Sequence, residues 1–203
     1  MTIDFDVITS VWNGAEPVYR HEGVGPEWGL EIANRVRSLN GAGDCIEWGY
    51  GGGTVHAAVC DMFKSYTAVD VADRPLALAR ERGCEAVHAR DAAGIAPNSA
   101  DFVLSTACFQ HFPDYEMVTY VLTHLRRALR PGGSGLIQTR YYIPGDNVDA
   151  AVNRTGHYST RFLRSHGMTP WDWLRTFYDH KLTVTAVVLS QTHSQYAWHA
   201  VRG

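Results

Sequence analysis

The residues best placed to do chemistry are Glu47, Gly49, Gly51 and Gly53, then Asp70, Asp91 and His111. Glu47-Trp48-Gly49-Tyr50-Gly51-Gly52-Gly53 follows a short apolar run and precedes a segment with helical periodicity. Glycine has no Cβ, so such a turn bends sharply and lets a ligand approach the main chain. A turn of this kind at a helix start aims free amides at whatever binds there. An anionic ligand would welcome those amides but not the carboxylate of Glu47. His111 titrates near neutrality when unperturbed, which suits a base or an orienting group.

The elements around these residues alternate. Asp44–Gly49 reads as a buried strand, Thr54–Lys64 as an amphipathic helix on Val55, Ala58, Val59, Met62 and Phe63, and Tyr66–Val71 as a second strand. Arg74–Arg82 reads as a helix stopped by Gly83, with Asp73 as its cap, and residues 86–89 as a third strand. Asp101–Thr106 is a nearly all-apolar fourth strand. A helix from Pro113-Asp114 follows, with Tyr115, Val118, Val121, Leu122, Leu125, Ala128 and Leu129 on its apolar face, and Pro131-Gly132-Gly133 ends it. Gly135–Tyr142 is a fifth strand.

Before this core, residues 1–25 read as an irregular arm with one helical turn, and a helix spans about residues 27–39. After it, residues 143–158 have no steady period. Thr169-Pro170 opens a helix with Trp171, Leu174 and Tyr178 on one face, and Leu182–Leu189 with Gln195–Val201 form a closing hairpin. Alternating strands and helices predict a parallel sheet covered on both faces, with ligands bound beyond the carboxyl ends of the strands. Those ends are Glu47–Gly53, Asp70, Asp91 and Ser105–His111.

The Glu-x-Gly-x-Gly-x-Gly turn resembles motif I of the class I S-adenosylmethionine-dependent methyltransferases. Asp70 stands where that family places the acid holding the ribose hydroxyls, and Asp91-Ala92 matches its acidic position beside the adenine. Asn98–Ser105 is similar to the family's motif around strand four, and Leu125–Gly133 to its turn before strand five. The resemblance covers roughly residues 40–142. It implies a Rossmann-like α/β fold: a seven-stranded, mostly parallel sheet with helices on both faces and a C-terminal antiparallel hairpin.

It further implies that S-adenosylmethionine, leaving as S-adenosylhomocysteine, is held by Glu47, Gly49, Tyr50, Gly51, Gly53, Asp70, Val71, Asp91, Ala92, Thr106 and Phe109. His111 borders the donor methyl as base or orienting residue. Topology puts the acceptor pocket at Tyr19, Arg20, His111, Arg140, Tyr142, His157 and Tyr158. The acceptor expected is a small molecule carrying a hydroxyl, carboxyl or amine. The Asp/Asn-Pro-Pro-aromatic motif of nucleic-acid amino methyltransferases is replaced by Thr106-Ala107-Cys108-Phe109.

Two alternatives share these residues. One is a nicotinamide-dependent oxidoreductase, whose Gly-x-Gly-x-x-Gly/Ala fingerprint fits Gly49 and Gly51 but meets Thr54 at its third position. The other is a non-catalytic S-adenosylmethionine-binding protein.

The 203 residues read as one domain: arm and helix over the cleft (1–40), cofactor core (41–142), substrate-side insertion and helix (143–180) and closing hairpin (181–203). A net charge of −3 gives no footprint for nucleic acid or an anionic membrane. Cys45, Cys60, Cys84 and Cys108 form no CxxC or zinc spacing. With no leader and no long apolar run visible, free thiols, no metal and a cytoplasmic monomer or homodimer are expected.

Overall fold

The computed structural model describes residues 3–14, 26–112, 114–141, 168–189 and 196–203. Tyr19, Arg20, Tyr142, His157 and Tyr158, and the aperiodic stretch 143–158, lie outside the described residues.

The strands are β1 (Asp44–Trp48), β2 (Ser65–Asp70), β3 (Glu85–His88), β4 (Ala100–Ser105), β5 (Leu129–Arg140), β6 (Thr183–Leu189) and β7 (Tyr196–Arg202). They form one seven-stranded sheet in the order β3-β2-β1-β4-β5-β7-β6. The first five strands run parallel, and β7 pairs antiparallel with both β5 and β6. Strand order reverses between β1 and β4, which opens a crevice at their carboxyl ends.

The helices are α1 (Phe5–Gly14), α2 (Pro26–Ser38), α3 (Thr54–Val59), α4 (Asp73–Glu81), α5 (Tyr115–Ala128) and α6 (Pro170–Asp179). Alternation along β1 divides the core. Ile46 and Trp48 join the cluster under α5 and α6, with Val118, Leu122, Leu125, Trp173 and Phe177. Cys45 faces the opposite cluster with Ile32, Val36, Val55, Val59 and Phe102.

Several expectations needed correction. The N-terminal arm holds a ten-residue helix rather than one turn. The breakers Gly14, Pro17, Gly23, Gly25 and Pro26 all lie at or beyond its end, and Asp4 Oδ1 accepts the Val7 amide at its start. The helix after the glycine turn stops at Val59, and Cys60–Met62 is a 3-10 turn. Asp73 does not cap α4: Ala72 occupies that position, and the Asp73 carboxylate turns to α1.

The fifth strand starts at Leu129, so Pro131-Gly132-Gly133 lies at its entry and not between helix and strand. Tyr115 is 46% exposed and outside the α5 core face, while Asp114 caps that helix through the Met117 amide. In α6 the expected capping pair holds, because Thr169 and Asp172 form a capping box. Its core face is Trp173, Thr176 and Phe177, whereas Trp171 is 78% and Tyr178 75% exposed. Aromatics stand on both sides of this helix, so periodicity alone does not choose which side packs. The indole N–H of Trp173, donated to the Arg140 carbonyl at 2.7 Å, marks the chosen one.

Candidate active site

The glycine turn owes its shape to left-handed backbone at Gly49, Gly51 and Gly53. Gly49 has a second reason to lack a side chain: a Cβ there would stand 2.6 Å from Cys108 Sγ. The loop after β4 thus presses directly on the end of β1. Behind the turn, Arg82 donates to the Gly53 carbonyl at 2.8 Å. Tyr50, expected at the cofactor or under the sheet end, is buried in the cluster with Val55 and Tyr66. Trp48 is buried on the other face beside Tyr120 and His124.

Asp70 ties β2 to the turn. One carboxylate oxygen accepts the Gly51 amide at 3.0 Å and the other the Ala72 amide at 3.0 Å. Burial raises its pKa, and the Gly51, Ala72 and Val71 amides oppose that rise. Glu47 differs. It is 1% exposed, and the Tyr66 hydroxyl donates to its Oε2 at 2.9 Å. Burial pushes its pKa up to about 8, the Tyr66 bond opposes this, and the Asp70 charge adds to it.

The loop after β4 is anchored at both ends. Ser105 Oγ donates to the Trp48 carbonyl at 2.9 Å, and the Ala107 amide donates to Gln138 Oε1 at 2.7 Å. Ala107 has φ 49°, a left-handed conformation uncommon outside glycine, Asn and Asp. Thr106 is buried, and Phe109 packs in the core against Phe112 and Trp173. The Cys108 thiol is pushed up by burial and by Asp70, consistent with an inert packing thiol. All four cysteines are free.

His111 lies edge-on to Trp12 of α1, with ring centroids 5.1 Å apart. Burial, aided by the Arg140 charge, lowers its pKa to about 4, so the imidazole is neutral at pH 7. The structure therefore brings His111 and Arg140 together. Tyr196, paired with Arg140 across β5 and β7, adds a half-buried phenol missed in the sequence. Its only signal there is its place in the closing hairpin.

Asp91 is exposed in the 3-10 turn Ala89–Gly94, and Ala92 is buried beside it. Val71 is half-buried, and its carbonyl is held by a second unforeseen residue, His88 at the end of β3. His88 Nδ1 accepts the Arg90 amide at 3.2 Å, so Nε2 carries the proton and donates to the Val71 carbonyl at 3.0 Å.

Helix α1 crosses these strand ends. Asn13 exchanges two hydrogen bonds with Asp73, at 2.8 and 2.9 Å. Thr9 Oγ1 sits 3.2 Å from His88 Nε2, and Arg90 pairs with Asp6 at 2.7 Å. Among the described residues, no group of three His, Cys, Asp or Glu side chains is placed to hold a metal ion. No helix among them is long and apolar enough to cross a membrane.

Two buried acids at adjacent strand ends, beside a close-approach glycine turn, suit a ligand with cationic groups and hydroxyls. They suit a pyrophosphate poorly. The fold is a Rossmann-like α/β domain with an acid-lined glycine turn at its switch point. Residues 46–137 match the family described as a methyltransferase domain.

Solved structures share the fold. The 1,6-didemethyltoxoflavin-N1-methyltransferase of Burkholderia thailandensis, solved with S-adenosylhomocysteine, is 15% identical with a TM-score of 0.71 over 100% of this chain and 91% of that one. Magnesium protoporphyrin IX methyltransferase from Synechocystis PCC 6803, also with S-adenosylhomocysteine, is 15% identical with a TM-score of 0.71 over 98% and 100%. A protein of echinomycin biosynthesis, connected with conversion of a disulfide bond into a thioacetal group, is 20% identical with a TM-score of 0.66 over 96% and 92%. No functionally curated protein matches the chain.

Proposed function

We propose that this chain transfers a methyl group from S-adenosylmethionine to a hydroxyl, carboxyl or amine of a small molecule. The observation that carries the reading is the Glu47 and Asp70 pair, two buried acids beside the glycine turn. When bound, the cofactor supplies a methyl group on a positively charged sulfur, which is a good leaving group. Asp70 accepts from the ribose hydroxyls, Glu47 attracts the cationic methionine end, and the turn's main chain at Gly49, Gly51 and Gly53 lines it. Val71, Asp91 and Ala92 border the nucleoside, and Thr106 borders the methionine side. A nicotinamide dinucleotide would set its pyrophosphate against the same two carboxylates, a like-charge cost in a buried site.

The remaining groups hold the acceptor. His111, neutral at pH 7, orients the nucleophile or accepts its proton, and Arg140 receives an acidic group on the acceptor. Tyr19, Arg20, Tyr142, His157 and Tyr158 complete this pocket in our reading. The chain works as one domain in which residues 1–40 cover the cleft, as a monomer or homodimer, and it excludes water from an in-line displacement. Its charge of −3 and the Thr106–Phe109 sequence favour a small acceptor over nucleic acid.

Calorimetry with S-adenosylmethionine and S-adenosylhomocysteine tests the cofactor half, and failure to bind either overturns it. Methyl-labelled cofactor with a panel of small hydroxy, carboxy and amino compounds tests the acceptor half. Transfer to none of them overturns that half.

A further inference from the structure

Among the described residues, one buried acid has a single side-chain donor. Glu47 is 1% exposed, and Tyr66 Oη donates to its Oε2 at 2.9 Å. The titratable groups facing it come from every element around it. Asp70 and Tyr66 stand on β2, Cys45 on β1, Tyr50 in the glycine turn, Cys84 after α4 and Cys108 after β4. These are acids, phenols and thiols. His56 of α3 lies edge-on to the Tyr66 ring at 4.8 Å, with its pKa lowered by burial and by Arg82. Among the described residues no cation faces the carboxylate. Asp70 is different, because two of its hydrogen bonds come from main-chain amides that no substitution nearby removes.

A buried carboxylate needs donors or a counter-charge. With one donor and no cation among the described residues, Glu47 is poised between a neutral form and an anion that suits a cationic ligand. Tyr66 donates its only proton to that group. The bond favours the anion, because a hydrogen bond to a charged acceptor is stronger than one to a neutral group.

We propose that Tyr66 is the positioning residue through which Glu47 responds to the cofactor's positive charge, so that cofactor binding expels a proton from the site. The proposal rests on the cofactor reading above. Tyr66 touches no reacting atom; it holds the Glu47 carboxylate in place and lowers the cost of its ionisation. The proton leaves from Glu47 to solvent, and no bond other than O–H breaks. The rise of the Glu47 pKa to about 8 is in the sense this requires, since binding near neutrality must then draw off the proton.

The test is calorimetric titration of the full-length protein with S-adenosylmethionine, from pH 6.5 to 9, in pairs of buffers of different ionisation enthalpy. The wild type should release close to one proton per cofactor near pH 7, fading towards pH 9. Tyr66→Phe should bind about tenfold more weakly near pH 7, and its affinity should level off about one pH unit higher, the worth of one charged hydrogen bond. Glu47→Gln, which still accepts from Tyr66, should bind without proton release.

An unchanged affinity and pH profile in folded Tyr66→Phe overturns the proposal while leaving the cofactor reading intact. So does undiminished proton release in Glu47→Gln, which decides the matter if the Tyr66 variant does not fold. Failure of the wild type to bind S-adenosylmethionine or S-adenosylhomocysteine overturns the cofactor reading and this proposal with it.

Discussion

Asp70 Oδ2 accepts the Gly51 amide at 3.0 Å, so the acid that ends β2 also holds the glycine turn that follows β1. The two residues are 19 apart in sequence, and β1 and β2 pair in parallel to bring them together. One side chain thus shapes the cradle and, in our reading, binds the ribose. Asp70→Ala should lose both functions: about 1–3 kcal/mol of stability, as for a buried hydrogen bond removed, and at least tenfold in affinity for S-adenosylhomocysteine. Asp70→Asn keeps one acceptor oxygen but turns its NH2 on the other main-chain amide, so it should lose part of the stability as well as the affinity. Thermal unfolding and calorimetry separate the two effects.

Gly49 and Gly83 form a matched pair. Both have positive φ, 86° and 81°, but a Cβ at Gly49 would strike Cys108 whereas one at Gly83 would meet nothing. Gly83→Ala should cost about 1 kcal/mol for the left-handed backbone alone. Gly49→Ala should cost that plus about 1–3 kcal/mol of overpacking, and should also displace the loop after β4. Denaturant unfolding of both variants measures the difference. Equal costs would show that Cys108 yields freely.

His111 is held neutral at pH 7 by burial and by Arg140, with its pKa lowered to about 4. So weak a base is better suited to orienting a nucleophile than to extracting a tightly held proton. His111→Asn should therefore keep a substantial share of the rate, and the rate should show no inflection between pH 6 and 8 in the wild type. A loss of about 10²-fold or more in that variant, with a wild-type inflection near neutrality, would assign it a general base role instead.

His199 is buried on β7, where Thr139 Oγ1 of β5 lies 2.9 Å from its Nε2. Burial lowers its pKa to about 4 from an ordinary 6.5. Between those values the unfolded chain binds more protons than the folded one, so stability is full above pH 6.5 and falls as pH drops towards 4. His111 acts in the same direction over the same window. Glu47 opposes both, because its raised pKa means the folded state binds more protons between about 4.5 and 8. His199→Gln should flatten the acid limb by up to one proton, about 1.4 kcal/mol per pH unit at most. Unfolding free energy measured from pH 4 to 7 shows whether it does.

Asn13 clasps α1 to the loop after β2 through both bonds to Asp73. If α1 covers the bound cofactor, Asn13→Ala should speed S-adenosylhomocysteine release several-fold, in line with a loss of about 1 kcal/mol, and leave the core's unfolding nearly unchanged. Stopped-flow displacement measures the release. An unchanged rate would place α1 aside from the exit path.

The sequence by itself determined the alternation of strands and helices, the glycine turn and the order of acids at the strand ends. These rest on short-range physics: periodicity within one element, breakers between elements, and the backbone freedom of glycine at Gly49 and Gly51. Tertiary structure decided what each of those residues faces. It put α1 across the strand ends, chose Trp173 over Trp171 as the inward side of α6, packed Phe109 into the core and set Cys108 against Gly49. It also buried Glu47 under a tyrosine hydroxyl from the neighbouring strand. A carboxylate's identity is written in the chain. Its donor and its dielectric surroundings arise only when β1, β2 and β4 lie side by side.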